Sequence, residues 1–177
     1  MKRAVFLDRD GVINEIVMRQ GLPGSPRRIE EFKVIDGVKE ALNEFKAMGF
    51  MNIVITNQPD VARGQMDLSE LQGMHDHIKK KLPVDGIIAC PHDDNARCLC
   101  RKPKPGMLLR ASEILGIDLN ASYFIGDTWR DAEAGRLAGC RTIIVSAPYN
   151  MDVVPDFRIT DIQDAIGVVR QTERIAT

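Results

Sequence analysis

The hydrophobic positions of this chain follow two alternating patterns. In the first pattern, short runs of consecutive apolar residues end at a polar residue, which is typical of strands that are buried on both faces of a sheet. We expect five such strands. They are AVFLD (4–8), NIVITN (52–57), GIIAC (86–90), YFIGD (123–127) and TIIVS (142–146).

The second pattern is a helical spacing of apolar residues between these runs. It predicts helices from Val38 to a C-terminal cap at Gly49, over 68–82, from Pro105 to the residue before Gly116, and over 132–138. Buried strands that alternate with helices predict an α/β fold with a doubly wound parallel sheet. In such folds ligands bind beyond the carboxyl ends of the strands, so functional residues are expected there.

Two segments interrupt the alternation, and each follows a strand. Residues 15–33 are rich in glycine and proline and are expected to form a loop over the active edge of the sheet. Residues 90–106 carry three cysteines and predict an irregular loop that needs a cross-link to stay ordered. At 177 residues the chain is predicted to be a single domain, 1–177.

Charge and hydropathy exclude several classes of partner. The 24 basic and 25 acidic side chains give a formal net charge of −1, which provides no broad attraction for nucleic acid or an anionic membrane. No apolar run is long enough to span a bilayer, and the first residues lack a signal-peptide core. We therefore expect a cytoplasmic protein whose partner is a small molecule; no protein partner is predicted.

Acidic side chains follow two of the predicted strands. Asp8 and Asp10 end the first strand, where Gly11 allows a sharp turn, and Asp127 and Asp131 follow the fourth. Carboxylates that converge at one sheet edge repel one another unless a cation joins them, and oxygen ligands favour Mg²⁺. The alternative makes Asp8 a turn former and Asp131 a helix cap.

The cysteine-rich segment predicts a second metal site. The spacing Cys90-x-His92-x₅-Cys98-x-Cys100 offers four protein ligands, which leaves no open position for water and so indicates a structural Zn²⁺. Chance adjacency or a reactive thiol pair are the alternatives. Three further residues of these types are not expected to bind metal: Cys140 as a buried thiol, and His75 and His77 as surface or interface side chains of the second helix.

Four segments together resemble the motifs of the haloacid dehalogenase superfamily. They are FLDRDGVIN (6–14), VITNQ (54–58), CRKP (100–103) and IGDTWRD (125–131), in that order and spacing. Within the superfamily they are most similar to the histidinol-phosphate and heptose-bisphosphate phosphatase branch. The resemblance implies a Rossmann-like fold without a large cap domain and a Mg²⁺-dependent phosphomonoesterase that forms an aspartyl-phosphate.

The resemblance also assigns roles to individual residues. The implied catalytic residues are Asp8 as nucleophile, Asp10 as acid/base, and Thr56 and Lys102 as phosphate stabilisers. The implied Mg²⁺ ligands are Asp8, Asp10 and Asp127. The residues expected to bind substrate are Asn57, Gln58, Arg63 and Arg101, the last by holding a second anion.

The segments beside the site favour one substrate within the branch. VARG (61–64) and KPGM (104–107) resemble heptose-bisphosphate 7-phosphatases of bacterial lipopolysaccharide synthesis, whereas the short span from His92 to Cys98 resembles histidinol-phosphate phosphatases. Because strand-end segments adjoin the reacting phosphate, we expect removal of the C7 phosphate of D-glycero-D-manno-heptose 1,7-bisphosphate. Histidinol phosphate or another small sugar phosphate is the alternative. A noncatalytic zinc-loop binding module is the remote one.

Two departures from the branch lie at the expected pocket rim. Pro59-Asp60 replaces Ser-Gly, and Thr128-Trp129 stands where a basic residue is usual. The Asp60 carboxylate is expected to repel a second phosphate and to attract the ammonium of histidinol phosphate. Without a large cap, shielding of the site is expected from residues 15–33, 59–66 and 90–106.

Overall fold

A six-stranded parallel sheet forms the centre of the protein in the computed structural model, which describes residues 1–175. The described residues contain eight strands, of which six form this sheet. They are β1 (Arg3–Leu7), β2 (Val17–Arg19), β3 (Leu22–Gly24), β4 (Phe50–Asn57), β5 (Gly86–Cys90), β6 (Tyr123–Gly126), β7 (Arg141–Val145) and β8 (Phe157–Ile159). The sheet order is β5-β4-β1-β6-β7-β8, with parallel pairing throughout. The other two strands, β2 and β3, pair as a separate antiparallel hairpin.

Helices cover both faces of this sheet. They are α1 (Val38–Ala47), α2 (Leu68–Lys81), α3 (Gly106–Leu115), α4 (Trp129–Ala138) and α5 (Asp164–Ile175). Along β1, Val5 and Leu7 belong to the apolar cluster that includes α1 and α5, whereas Ala4 and Phe6 belong to the cluster that includes α3 and α4. Alternate residues of a strand point to opposite faces, so β1 is buried on both. The predicted doubly wound parallel α/β fold is confirmed.

The predicted elements match the structure, which contains in addition three short strands and one α-helix that were not predicted. All five predicted strands and all four predicted helices are present, with ends that differ by at most three residues. Residues 15–33, expected to be a loop, contain the β2–β3 hairpin. The edge strand β8 and the helix α5 lie beyond residue 146, where no element was predicted. The predicted domain boundary at residue 177 lies outside the described residues.

The strand order places the chemistry-bearing residues together. The chain moves from β1 to β4 and β5 on one side and then returns to β6 on the other side of β1, so the order reverses at β1. Such a reversal opens a crevice at the carboxyl ends of the strands. Asp8, Thr56 and Asp127 lie at this edge. Across the described part of the chain, no helix combines the length and apolar character needed to cross a bilayer.

Candidate active site

Three carboxylates meet at the carboxyl edge of the sheet. Asp8 directly follows β1, Asp127 directly follows β6, and Asp131 lies in the first turn of α4. One oxygen from each lies within 4.8 Å of the others, and all three residues are buried. The predicted convergence of acidic side chains at strand ends is therefore present in the structure.

Gly11 allows the close approach of the first turn to Asp127. Its φ is +82°, a left-handed conformation that side chains rarely adopt. A Cβ at this position would lie 2.2 Å from Asp127 Oδ2, so any larger residue would clash with the cluster. The glycine after Asp10 therefore serves the site both through its backbone conformation and through its lack of a side chain.

Lys102 is the cation of this cluster. Its Nζ lies 2.8 Å from Asp8 Oδ1 and 2.6 Å from Asp131 Oδ1, and it donates a hydrogen bond to the Ile55 carbonyl. Burial acts to lower the pKa of Lys102, but the carboxylates of Asp131 and Asp8 outweigh burial and raise it, so the side chain is an ammonium. A positive charge is thus fixed where phosphoryl oxygens would gather.

The charge balance of the cluster fits a divalent cation. The cluster holds three carboxyl groups and one ammonium, and Asp127 Oδ1 is buried without a hydrogen-bond partner among residues 1–175. Burial, and then the neighbouring Asp131 carboxylate, raises the pKa of Asp127 to about 7. Burial also raises the pKa of Asp8 well above its usual range. Carboxylate oxygens are the donors that Mg²⁺ prefers, and a bound cation would favour the ionised form of these groups.

Asp131 also caps α4. Its Oδ2 accepts hydrogen bonds from the main-chain amide and the hydroxyl of Thr128, which completes a capping box, while its Oδ1 contacts Lys102. Oδ1 of Asp131 accepts no hydrogen bond but is paired with Lys102, whereas Oδ1 of Asp127 has neither a hydrogen bond nor an ion pair among the described residues. The helix-cap alternative for Asp131 is correct, and the same residue still belongs to the carboxylate cluster.

The side chain of Asp10 lies outside this cluster, although Asp10 was predicted to bind the metal. Its carboxylate is held by four side chains, which are Arg9, Asn14, Ser25 and Gln58 at 2.8–3.2 Å. Burial acts to raise its pKa, but the Arg9 guanidinium and the hydrogen bonds from Asn14 and Ser25 together lower it. Asp131 takes the place in the cluster that the sequence assigned to the Asp10 carboxylate.

Two predicted phosphate or substrate contacts lie beneath the site. The hydroxyl of Thr56, in β4, accepts a hydrogen bond of 2.9 Å from Gln58 Nε2. The same amide nitrogen donates to Asp10 Oδ2 at 2.8 Å, and Gln58 is fully buried. Gln58 is absent from the walls of the cavity above the site, so its expected role as a substrate contact is replaced by that of a positioning residue.

Asn57 fixes the main chain of Lys102. Its amide nitrogen donates to the Lys102 carbonyl, and its amide oxygen accepts from the Lys102 amide, each at 3.1 Å. Asn57 also lines the cavity, as expected for a residue beside the substrate. The paired hydrogen bonds connect the end of β4 to the segment that carries the lysine.

Tyr149 and Asn150 complete the support of Asp127, and neither was predicted from the sequence. The Tyr149 hydroxyl donates to Asp127 Oδ2, and the buried Asn150 amide donates to the Asp127 carbonyl at 2.7 Å. Arg158, in β8, donates in turn to the Asn150 side chain. The loop after β7 therefore orients the acidic residue, although it carries no recognisable motif.

The four predicted zinc ligands form a compact cluster. Their ligand atoms all lie within 4.8 Å of one another; the residues are Cys90, His92, Cys98 and Cys100. The Cys90 sulfur lies 3.2 Å from that of Cys100 and 3.7 Å from that of Cys98. Tetrahedral Zn–S bonds of about 2.3 Å place sulfurs roughly 3.8 Å apart, so the cluster fits this metal.

The thiol of Cys98 is prepared for metal binding. Burial acts to raise its pKa, but hydrogen bonds from the main-chain amide of Arg101 and from the Cys100 thiol bring it down to about 6. Because the thiolate is the form that binds zinc, this shift favours coordination at neutral pH. The Cys₃His set and the spacing of its atoms fit a structural Zn²⁺. Of the three thiols Cys98 alone has a lowered pKa, since burial raises those of Cys90 and Cys100.

A cavity of about 650 Å³ lies above the carboxylate cluster. Its walls come from the three segments that were expected to shield the site, within residues 15–33, 59–66 and 90–106, together with the start of α4 and Tyr149. Five arginines line it: Arg19, Arg27, Arg63, Arg101 and Arg130. The cavity is therefore acidic at its base and basic at its rim.

Asp60 is neutralised by two of these arginines. Its carboxylate lies 2.7 Å from Arg27 Nε and 3.6 Å from Arg63 Nη1. Arg63 also pairs with Asp93 at 2.6 Å. Two guanidinium groups therefore lie against the Asp60 carboxylate, which weakens the repulsion of a second phosphate that the sequence predicted.

Cys140, His75 and His77 were predicted to bind no metal, and the predicted location of one of them differs from the structure. Cys140 is buried, as predicted, and His77 is partly exposed with its ring edge-on to Phe32. His75, predicted to be a surface or interface side chain, is buried within the fold, and its Nε2 has no hydrogen-bond partner among the described residues. Burial, and then the charge of Arg9, lowers the pKa of His75 to about 4, so its ring is neutral.

Comparison with known proteins gives relatives that cover most of the chain. A HAD-hydrolase-like family model matches residues 99–149. The D-glycero-beta-D-manno-heptose-1,7-bisphosphate 7-phosphatase of Pasteurella multocida (strain Pm70) is 38% identical over 156 residues, which cover 82% of each chain. The enzyme of the same name from Escherichia coli (strain K12) is 38% identical over 154 residues, or 80% of this chain and 78% of that one.

A solved structure gives the same result. The D,D-heptose 1,7-bisphosphate phosphatase from B. bronchiseptica, complexed with magnesium and phosphate, superposes with a TM-score of 0.83 at 27% identity and covers 97% of this chain and 99% of that chain. The four motif segments, the carboxylate cluster and the likeness over most of its length lead to one conclusion: the chain belongs to the haloacid dehalogenase superfamily, in the family of the heptose-1,7-bisphosphate 7-phosphatases.

Proposed function

We propose that this protein removes the C7 phosphate from D-glycero-beta-D-manno-heptose 1,7-bisphosphate in a Mg²⁺-dependent hydrolysis. The observation that carries the proposal is the buried Lys102 ammonium, 2.8 Å from Asp8, at the base of a cavity with an arginine-lined rim. The reaction is the one named for the relatives from P. multocida and E. coli. Membership of a phosphatase family leaves no support for a noncatalytic zinc-loop module.

Asp8 is the proposed nucleophile. Its contacts with Lys102 and with the Arg9 amide both use Oδ1, so Oδ2 is the oxygen that attacks phosphorus. The new Asp8–phosphorus bond forms as the bond from phosphorus to the C7 oxygen breaks, which divides a difficult hydrolysis into two displacements. Water then attacks the aspartyl-phosphate and releases inorganic phosphate, which restores the carboxylate.

Asp10 is the proposed acid and base. Four side chains donate hydrogen bonds that fix its carboxylate in the wall of the same cavity that Asp8 lines. An arriving phosphate dianion raises the pKa of a nearby carboxyl, which favours the protonated form that the leaving C7 oxygen requires. In the second displacement the same carboxylate takes the proton from the attacking water.

Charge on the phosphoryl oxygens is balanced by groups that are already in place. Lys102 supplies an ammonium and Thr56 a hydroxyl, and both are held by hydrogen bonds before substrate binds. Asp8 and Asp127 are the proposed side-chain ligands of Mg²⁺, since Asp127 Oδ1 has no partner among the described residues, whereas Asp131 Oδ1 is paired with Lys102 and Oδ2 caps α4. When bound, Mg²⁺ supplies positive charge to the phosphoryl oxygens.

The zinc site is proposed to position basic residues. The last zinc ligand, Cys100, directly precedes Arg101 and Lys102 in the chain. A metal that fixes Cys100 therefore fixes the start of the segment that carries both cations. Zinc thiolates need a reducing compartment, and the described cysteines are all free of disulfides, which supports the proposal of a cytoplasmic enzyme.

The basic rim favours the bisphosphate over histidinol phosphate. Arg63 and Arg101 are the proposed contacts of the C1 phosphate, and both already bind carboxylates of the 3₁₀ segment at 94–96 or its cap. Since Asp60 is neutralised, the rim offers no free carboxylate there to attract the ammonium of histidinol phosphate. A second phosphate is thus the group that this rim attracts.

The test is a comparison of kcat/KM at saturating Mg²⁺. The substrates are the β and α anomers of the heptose bisphosphate, L-histidinol phosphate and a set of sugar monophosphates. We expect the β bisphosphate to be preferred, with phosphate released from C7 and the C1 phosphate retained in the product. A tenfold preference for histidinol phosphate, or about 1.4 kcal/mol of discrimination, would make the substrate assignment wrong.

A further inference from the structure

One arginine of the cavity wall has no acidic partner. Four of the five form an ion pair: Arg19 with Glu31, Arg27 and Arg63 with Asp60, and Arg101 with Asp94. Arg130 lines the same cavity and forms no ion pair with a carboxylate of residues 1–175. Its guanidinium is therefore the basic group of the wall that remains available to an anion.

Trp129 supports the Arg130 side chain. The guanidinium carbon lies 4.9 Å from the centroid of the indole ring, within the range of a cation–π interaction. Both residues belong to the first turn of α4, directly after the Asp127–Thr128 pair, and both line the cavity. The stacking restricts the side chain before substrate binds, which reduces the entropy lost on binding.

Arg130 lines the same cavity as Arg101, the arginine already proposed to hold the second phosphate. Asp94, which accepts a hydrogen bond of 2.8 Å from Arg101 Nε, lines this cavity as well, and 63% of its side chain is exposed. The two guanidinium groups therefore face the same space.

We propose that Arg130 is a specificity-determining residue, which binds the second anionic group of a doubly phosphorylated sugar together with Arg101. The inference rests on the proposed function, since it names the residue that recognises the phosphate left in the product. A guanidinium suits this task because it donates two parallel hydrogen bonds to phosphate oxygens. Arg130 can donate these hydrogen bonds without first breaking an ion pair with a described carboxylate.

The experiment compares Arg130→Ala with Arg136→Ala. Arg136 lies on the same helix, is exposed and pairs with Glu133, so it controls for the loss of an arginine from α4. Each variant is assayed with the heptose 1,7-bisphosphate and with p-nitrophenyl phosphate, which has no second anion. Inhibition by heptose 1-phosphate, the product that retains only the second phosphate, measures binding directly.

For Arg130→Ala we expect kcat/KM for the bisphosphate to fall tenfold or more, which is about 1.4 kcal/mol. We expect the value for p-nitrophenyl phosphate to stay within twofold of wild type. The inhibition constant of heptose 1-phosphate should rise by a similar factor of ten. Arg136→Ala should change none of these values by more than twofold, and Arg130→Lys should recover part of the loss.

Coupling to Arg101 provides a second measurement. If both arginines hold the same phosphate, the effects of Arg101→Ala and Arg130→Ala on bisphosphate kcat/KM will not multiply in the double variant. Equal losses on both substrates, an unchanged inhibition constant, or independent effects in the double variant would overturn the inference while the wild-type preference for the bisphosphate stands. A wild-type enzyme with no such preference would instead overturn the proposed function, and the inference with it.

Discussion

The Lys102 ammonium lies 2.8 Å from Oδ1 of Asp8, and both side chains are buried. The lysine lies in the cysteine-rich loop at residues 90–106, two residues after Cys100, and the aspartate follows β1, so the contact joins two distant parts of the chain. It places a positive charge beside the proposed nucleophile without occupying Oδ2. The predictions below follow from this pair and its neighbours.

Asp8→Asn should abolish phosphatase activity while the fold remains intact. The amide keeps the shape of the side chain but removes the negative charge that attacks phosphorus. Phosphate release from p-nitrophenyl phosphate at saturating Mg²⁺ measures the effect, and circular dichroism and zinc content check the fold. Asp76→Asn, on the exposed face of α2, is the matched control. Measurable turnover by Asp8→Asn would exclude the covalent route.

Lys102→Met should destabilise the protein as well as inactivate it. The change leaves Asp8 and Asp131 buried without their cation, which typically costs about 3–5 kcal/mol of the free energy of unfolding. Urea unfolding in Mg²⁺-free buffer gives the value. The exposed Lys80→Met should stay within about 0.5 kcal/mol of wild type. Equal stability of the two variants would show that the buried pair contributes nothing.

The contribution of Asp127 to stability in Mg²⁺-free buffer, taken as the difference between wild type and Asp127→Asn, should fall as the pH rises from about 4 to 7. The difference is needed because His75, whose pKa is lowered to about 4, acts in the opposite direction in both proteins. The pKa of Asp127 is raised to about 7 in the folded protein, against about 3.9 in an unfolded chain. Between these values the folded state binds more protons, so the free energy of unfolding decreases with pH, by at most about 1.4 kcal/mol per pH unit. Urea midpoints at pH 5 and pH 7.5 test this.

Mg²⁺ should reverse this trend, because it binds the deprotonated carboxylates and not the protonated ones. Its stabilising effect is therefore expected to be larger at pH 7.5 than at pH 5. Asp127→Asn should weaken both the pH dependence and the response to Mg²⁺. Identical pH dependence of stability in wild type and Asp127→Asn would contradict the raised pKa.

Cys98→Ser should release the zinc without unfolding the sheet. The purified wild-type protein should contain one Zn²⁺ per chain, and Cys140→Ala, which changes a buried thiol outside the cluster, should retain it. Loss of zinc is expected to raise KM for the bisphosphate if Arg101 moves, and to lower kcat if Lys102 moves as well. Unchanged kinetics in the zinc-free variant would remove the loop from catalysis.

Much of the fold was predictable because strong local patterns agreed with it. Five apolar runs became the strands β1, β4, β5, β6 and β7, since burial on both faces demands continuous apolar sequence. The missed strand β8 has three residues, and its central Arg158 is exposed. The missed helix α5 has Ala165 and Val169 buried four residues apart, and Ile166 also packs against the core, so a helical spacing was available in the sequence and was overlooked.

Site residues that belong to contiguous motifs could be predicted from the sequence. Residues whose role depends on packing between distant segments could not. Asp8, Asp127 and the zinc ligands follow strands or share one short loop, so their sequence positions indicated their proximity. The burial of Gln58 and His75 depends on the packing around them, which no periodicity reveals. Tyr149 reaches Asp127 from a loop whose sequence shows no pattern.

The two ends of the cavity are built on different parts of the fold. Its acidic base depends on strand ends fixed by the sheet, whereas its arginines come from the β2 hairpin, from loops and from the first turn of one helix. Loops and element ends accept substitution far more readily than a sheet interior. Evolution can therefore exchange one phosphorylated substrate for another by replacing surface arginines, while the hydrolytic reaction is inherited without change.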